Sequence, residues 1–144
     1  MTEQHKYDPD NIFAKILRGD MPATKIYEDD AILAFMDIFP QSEGHALVIP
    51  KKVKATNVFD IDPDDLKTLI AGVQKVAKAV EKTLKPDGMR IIQFNGPEAG
   101  QTVFHIHFHI IPVYAGKPLR PHAGGGPAEP SRLAALAEKI AAAM

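Results

Sequence analysis

The sequence predicts an α+β domain in which a mostly antiparallel, five-stranded sheet carries one long crossover helix and a C-terminal helix. Three observations predict it. Short β-rich runs lie both before residue 51 and after residue 88, a single amphipathic helical segment joins them, and an Ala-rich helical run follows the last strand. A chain of 144 residues, 45% hydrophobic, can bury a core without staples. With no cysteine, disulfides and thiolate metal sites are excluded.

Each element has a local reason. Asn11 caps a short helix whose apolar stripe is Ile12, Phe13, Ile16 and Leu17, and Gly19 and Pro22 stop it. Lys25 to Glu28 and Ala31 to Met36 read as two strands joined tightly through Asp29-Asp30. His45 to Pro50 reads as a third, with His45, Leu47 and Ile49 on one face and Ala46 and Val48 on the other. Asp62-Pro63-Asp64-Asp65 opens the long helix. Its stripe is Leu66, Leu69, Ile70, Val73, Val76, Ala77, Val80 and Leu84, and Pro86-Asp87-Gly88 ends it. Met89 to Phe94 and Phe104 to Val113 are rich in β-formers and should pair as antiparallel neighbours. Arg132 to Ala143 reads as the last helix, after a Gly/Pro-rich stretch at 115–130. The expected organisation is a polar tail at 1–10, a domain over 11–114, and a loop with C-terminal helix over 115–144.

Seventeen Lys and Arg against 18 Asp and Glu leave a net charge of -1, so no positive field favours a nucleic acid partner. No apolar run is long enough to span a bilayer, and Met1 to Asp10 lacks the basic-then-apolar pattern of a secretory signal. The expectation is a cytoplasmic protein with neither membrane nor nucleic acid partner.

Three of the six histidines, His105, His107 and His109, alternate with Ile106, Phe108 and Ile110, and period two puts all three on one strand face. Three readings compete. The first is a solvated face that happens to use histidine. The second is a metal site, but the outer Cα atoms would lie about 13 Å apart, so the three rings cannot easily share one ion with ~2 Å bonds. Two could bind with His45 added, yet no carboxylate cluster or thiol completes the shell. The third is phosphoryl chemistry, with the middle imidazole attacking phosphorus. Asn95-Gly96-Pro97-Glu98-Ala99-Gly100-Gln101-Thr102 runs into the histidines, and its backbone and short polar side chains could cradle an anion. An imidazole with a pKa of ~6.5 is largely neutral and nucleophilic at pH 7. Loop and histidines together favour the third reading.

The run His105-Ile-His-Phe-His-Ile-Ile111 resembles the hallmark of the histidine triad (HIT) nucleotide hydrolases and transferases. Asn11-Ile-Phe-Ala-Lys-Ile-Leu17, Tyr27-Glu-Asp-Asp30, Ala34-Phe-Met-Asp-Ile38, Gly44-His-Ala-Leu-Val-Ile-Pro-Lys51 and Gly100-Gln-Thr102 extend the likeness, in family order, over residues 11 to 114. The resemblance implies a HIT-like fold and a purine nucleotide hydrolase acting at the α-phosphorus. His107 would form a nucleotidyl-histidine intermediate, flanked by His105 and His109, with His45 completing the cluster. Asn95, Gly100, Gln101 and Thr102 match phosphate and leaving-group contacts, and Asp37 matches the carboxylate that holds the ribose hydroxyls. Ile12, Phe13, Ile16, Phe35, Ile38 and Leu47 match the slot that sandwiches the purine. From the residues alone, Ile16 and Leu47 read as ordinary core, and Asp37 as a turn former ahead of Pro40.

Departures refine the expectation. Some members carry a Cys-x-x-Cys zinc pair where this chain has Asn11 and Ala14, so neither metal nor cofactor is expected. The uridylyltransferase branch has glutamine in place of the third histidine, and His109 favours hydrolysis. The zinc finger of the nucleic acid repair branch is missing. The implied reaction is P–N cleavage of a nucleoside phosphoramidate by a homodimer joined through helix and sheet edge. The alternatives are dinucleoside polyphosphate hydrolysis and a nucleotide-binding regulatory module with incidental turnover. His5 and His122 read as surface histidines.

Overall fold

The computed structural model describes residues 6–121 and 126–144. His5 and His122 lie outside the described residues. Helix α1 spans Ile12–Arg18. The Asn11 side chain accepts from the Ala14 N–H at its start, and Gly19, at φ 85°, closes it by donating to the Ile16 and Lys15 carbonyls. Strands β1 (Lys25–Glu28) and β2 (Ile32–Met36) form an antiparallel hairpin. The Asp29 carboxylate accepts from the Ala31 and Ile32 N–H groups at 2.8 and 2.9 Å, so the Asp-Asp link turns without a glycine. Strand β3 is Ala46–Pro50, and α2 is Pro63–Leu84, opened by Asp62 accepting from the Asp64 N–H. Strands β4 (Gly88–Ile92) and β5 (Phe108–Val113) follow, and α3 is Pro130–Ala142. The sheet order is β1-β2-β3-β5-β4, with every neighbouring pair antiparallel.

The period-two alternation sorts side chains between two apolar layers. Ala34, Met36, Ala46, Val48 and Ile110 pack with Leu69, Val73, Val76 and Val80 of α2 and Leu133, Leu136 and Ile140 of α3. Leu33, Phe35, Leu47 and Ile49 face the other way, onto Phe13 and Ile16 of α1. Strands β2 and β3 are consequently buried along their whole length, because neither sheet face is left to water. Helix α2 lies so close to β2 that a Cβ at Gly72 would come within 2.6 Å of Ile32 Cδ1. The C-terminal segment joins the same body: Arg120 N–H donates to the Gln41 carbonyl at 2.8 Å and Ala128 N–H to the Ile38 carbonyl at 2.9 Å before α3 enters the core.

Several expectations are corrected. Ile12 and Ile70 are 41% and 43% exposed, so the stripes of α1 and α2 are narrower than their apolar residues suggest. Strand β4 ends at Ile92, leaving Phe94 in a loop. The largest correction concerns β5, which begins at Phe108 rather than Phe104. Pairing with β3 stops at Val48 and Phe108, and the Ile106 N–H turns instead to the Ala55 carbonyl at 2.9 Å. Phe104 is half-buried outside both apolar clusters. His105 and His107 therefore belong to a bent lead-in, and only His109 sits in the ladder.

Candidate active site

The lead-in still brings the histidines together. His109 lies opposite Leu47 in the β3–β5 ladder, and His45 precedes β3, so the two rings meet diagonally with centroids 5.2 Å apart. His107 and His109 have centroids 5.1 Å apart, and Phe13 of α1 stands edge-on to His107 at 4.9 Å. All four imidazoles are buried.

Hydrogen-bond partners fix the protons, since a carbonyl only accepts and a backbone N–H only donates. His107 Nδ1 lies 2.7 Å from the His105 carbonyl, so Nδ1 carries the proton and the lone pair of the neutral ring sits on Nε2. His105 Nε2 lies 3.1 Å from the Pro50 carbonyl and so carries its proton; His105 Nδ1 accepts from the Tyr7 hydroxyl at 2.9 Å. Burial, opposed by the Pro50 bond and assisted by His107, pushes the His105 pKa down to about 4, so this ring is neutral at pH 7. His45 Nδ1 accepts from the Gln41 N–H at 3.0 Å, which leaves its proton on Nε2, 3.0 Å from His109 Nδ1 and 3.4 Å from Asp37 Oδ2. His109 thus accepts at Nδ1, and its own proton sits on Nε2.

Asp37, His45 and His109 offer ligand atoms within 4.8 Å of one another, a carboxylate-and-imidazole set that the sequence alone does not reveal. Its protonation does not fit a metal. The His45 nitrogen that would ligate is the one that must carry the proton while Gln41 donates to the other. The cluster is built as a hydrogen-bonded chain.

The expected binding residues divide. Phe13, Ile16, Phe35 and Leu47 form one buried cluster with Leu33 and Ile49, so they are core residues in this structure. Ile38, 49% exposed, and Ile12 are large apolar side chains left open to solvent. Asp37 is buried; its Oδ1 accepts from the Phe39 N–H at 2.8 Å, the turn-forming bond, while Oδ2 faces His45.

The loop before the triad donates less than its composition suggests. A 3₁₀ turn over Pro97–Ala99, between Gly96 at φ 95° and Gly100 at φ 107°, turns the Ala99, Gly100 and Gln101 N–H groups onto loop carbonyls. Gln101 is buried: its Oε1 accepts from Gly96 N and Asn57 Nδ2, and its Nε2 donates to the Thr56 and Val103 carbonyls. This side chain, expected at a phosphate, is the pin that holds the loop. Asn95 Oδ1 likewise accepts from Val58 N and Gln93 Nε2. Thr102 is exposed.

Sequence reasoning missed Tyr7, in the segment read as a polar tail. Asn11 N and Nδ2 both donate to the Asp8 carbonyl at 3.1 and 2.7 Å, and Arg18 Nη1 donates to the Pro9 carbonyl at 2.6 Å, fastening this segment to α1. A lone tyrosine among charged residues was the only signal. A recess lined by Tyr7, Arg18, Lys52 and Lys54 also reaches His105.

An open antiparallel sheet with three alternate histidines leading into its fifth strand, and a fourth beside them, defines a histidine triad domain. The HIT domain family model matches residues 18–116, and the chain belongs to the HIT family. The crystal structure of a Hit-like protein from Bartonella henselae, described as involved in cell-cycle regulation, is 46% identical and superposes with a TM-score of 0.88, covering 96% of this chain and 100% of that one. An adenosine 5'-monophosphoramidase of Schizosaccharomyces pombe is 40% identical over 134 residues, 90% of this chain and 94% of its own. An adenylylsulfatase of Arabidopsis thaliana is 35% identical over 127 residues, 84% of this chain and 64% of its own.

Proposed function

We propose that the protein is a purine nucleotide hydrolase that cleaves the P–N bond of nucleoside phosphoramidates through a nucleotidyl-His107 intermediate. The observation that carries this reading is the 2.7 Å bond from His107 Nδ1–H to the His105 carbonyl, which puts the lone pair on Nε2. In the proposed reaction Nε2 attacks the α-phosphorus and the P–N bond breaks. The nitrogen leaves with the bonding pair and takes a proton from solvent, while the His105 carbonyl supports the positive charge on the ring. Water then attacks phosphorus, the P–Nε2 bond breaks with its pair returning to Nε2, and the proton lost by water balances the one taken by the amine. His109 Nε2–H, held by His45, donates a hydrogen bond to the leaving group or a phosphate oxygen. Thr102 and the Asn95 amide would complete the phosphate contacts. Asp37 would hold the ribose, and a purine would pack on Phe13 and Phe35 between the exposed Ile12 and Ile38. The activity named for the S. pombe relative supports P–N over other α-phosphorus bonds.

The test is hydrolysis of adenosine 5'-phosphoramidate by wild type and His107→Ala, with chelator present. Turnover by wild type alone is expected. Turnover surviving the substitution would remove His107 from the mechanism, and folded wild type without turnover would leave only nucleotide binding. We further propose a cytoplasmic homodimer joined through the β4 edge, where Ile91 is 43% exposed, and α2. Among the described residues no helix is long and apolar enough to cross a membrane. Sizing in solution should give about twice 15.7 kDa, and a monomer would contradict the dimer.

A further inference from the structure

We propose that Tyr7 is a positioning residue for the triad: its hydroxyl locks the His105 ring in one tautomer and one place, and through the His105 carbonyl it sets the orientation of His107. The proposal rests on reading His107 as the attacking group. It stands on three linked contacts.

The first is the Tyr7 hydroxyl, 2.9 Å from His105 Nδ1, with the two rings 5.6 Å apart and tilted by 56°. The second is His105 Nε2–H on the Pro50 carbonyl at 3.1 Å, at the end of β3. The third is the His105 carbonyl under His107 Nδ1–H at 2.7 Å. His105 is only 1% exposed with Tyr7 in place, so losing the hydroxyl takes the protein donor away from a buried acceptor. Pro50 and Tyr7 hold the ring from opposite nitrogens. The main chain of His105 lies in the lead-in, outside the ladder that fixes His109; the peptide that carries its carbonyl is held by the Ile106 N–H on the Ala55 carbonyl at 2.9 Å, and the two ring contacts of His105 add to that single backbone bond. Tyr7 is itself tethered, because its neighbours Asp8 and Pro9 are bonded to Asn11 and Arg18 at the two ends of α1.

The test is Tyr7→Phe, which keeps the ring and removes the donor. Histidine ring ¹⁵N spectra, kcat and KM for adenosine 5'-phosphoramidate, and the thermal midpoint are recorded for wild type and variant. Expected are an unprotonated, hydrogen-bonded His105 Nδ1 in wild type whose resonance shifts in the variant, a kcat lower by about three- to tenfold, and an unchanged KM. A protonated Nδ1 in wild type, or an unchanged resonance in the variant, overturns the proposal. So does an unchanged kcat, or kcat and KM altering together in step with a lost thermal midpoint. Wild type without turnover would remove the proposed reaction, and the His105 resonance then decides the Tyr7 contact by itself. Should the variant not fold, the wild-type Nδ1 protonation state decides it.

Discussion

His45 donates to His109 and not the reverse. The bond from Nε2 to Nδ1 is 3.0 Å long, and its direction follows from Gln41, whose N–H already occupies the other nitrogen of His45. Asp37 Oδ2, 3.4 Å from the same Nε2, reinforces that assignment. One backbone amide in the 37–45 turn thereby decides which nitrogen of His109 can donate toward a substrate.

Replacing His45 with phenylalanine keeps a ring but removes the donor to His109. The kcat for phosphoramidate hydrolysis should fall by about tenfold, the cost of one oriented hydrogen bond at a reacting centre, with a smaller change in KM. Steady-state kinetics of the purified variant check this; an unaltered kcat would remove His45 from the proposed reaction.

His105 makes stability pH-dependent with a definite sign. Its folded pKa of about 4 lies below the ordinary 6.5, so between those values the unfolded chain binds a proton that the folded one does not. Its contribution is complete above pH 6.5 and is lost as pH falls toward 4, by about 3 kcal/mol in all. Urea unfolding across this range should show a steeper loss for wild type than for His105→Asn.

Gln101 is expected to act on stability before chemistry. Gln101→Leu would leave the Gly96 N–H and the Thr56 and Val103 carbonyls without their partner, at a cost of about 3 kcal/mol. Denaturant midpoints of the two proteins measure it. A midpoint within error of wild type would show that the loop does not depend on this side chain.

Gly44 should tolerate no side chain. Its φ is 93°, and a Cβ there would run into the Leu84 side chain and approach Pro112 Cγ at 3.2 Å. Gly44→Ala should destabilise by about 1–3 kcal/mol. Thermal unfolding checks this, and an unshifted midpoint would contradict the packing of α2 over the β3 entrance.

What the sequence made legible follows physical range. Helix α2 carries its own punctuation in Asp62, Pro63 and Pro86, and the alternation of β3 places Ala46 and Val48 opposite Leu47 and Ile49 without tertiary knowledge. The start of β5 was not legible, because it depends on where β3 stops pairing and on Ala55 capturing Ile106, a contact across 51 residues of chain. Composition at 95–102 suggested an anion cradle, but Gln101 looks outward to no one reading along the chain; only the fold shows its four bonds turned inward. The Tyr7–His105 bond spans 98 positions, and no local pattern announces it.

Among the described residues, one buried apolar cluster on the α1 side of the sheet joins six side chains, and two of them, Phe13 and Phe35, are the ones on which the proposed purine would pack. That small cluster has two masters. Any repacking that strengthens the attachment of α1 would also remould the proposed floor under the base, so durability and selectivity would be coupled on this face.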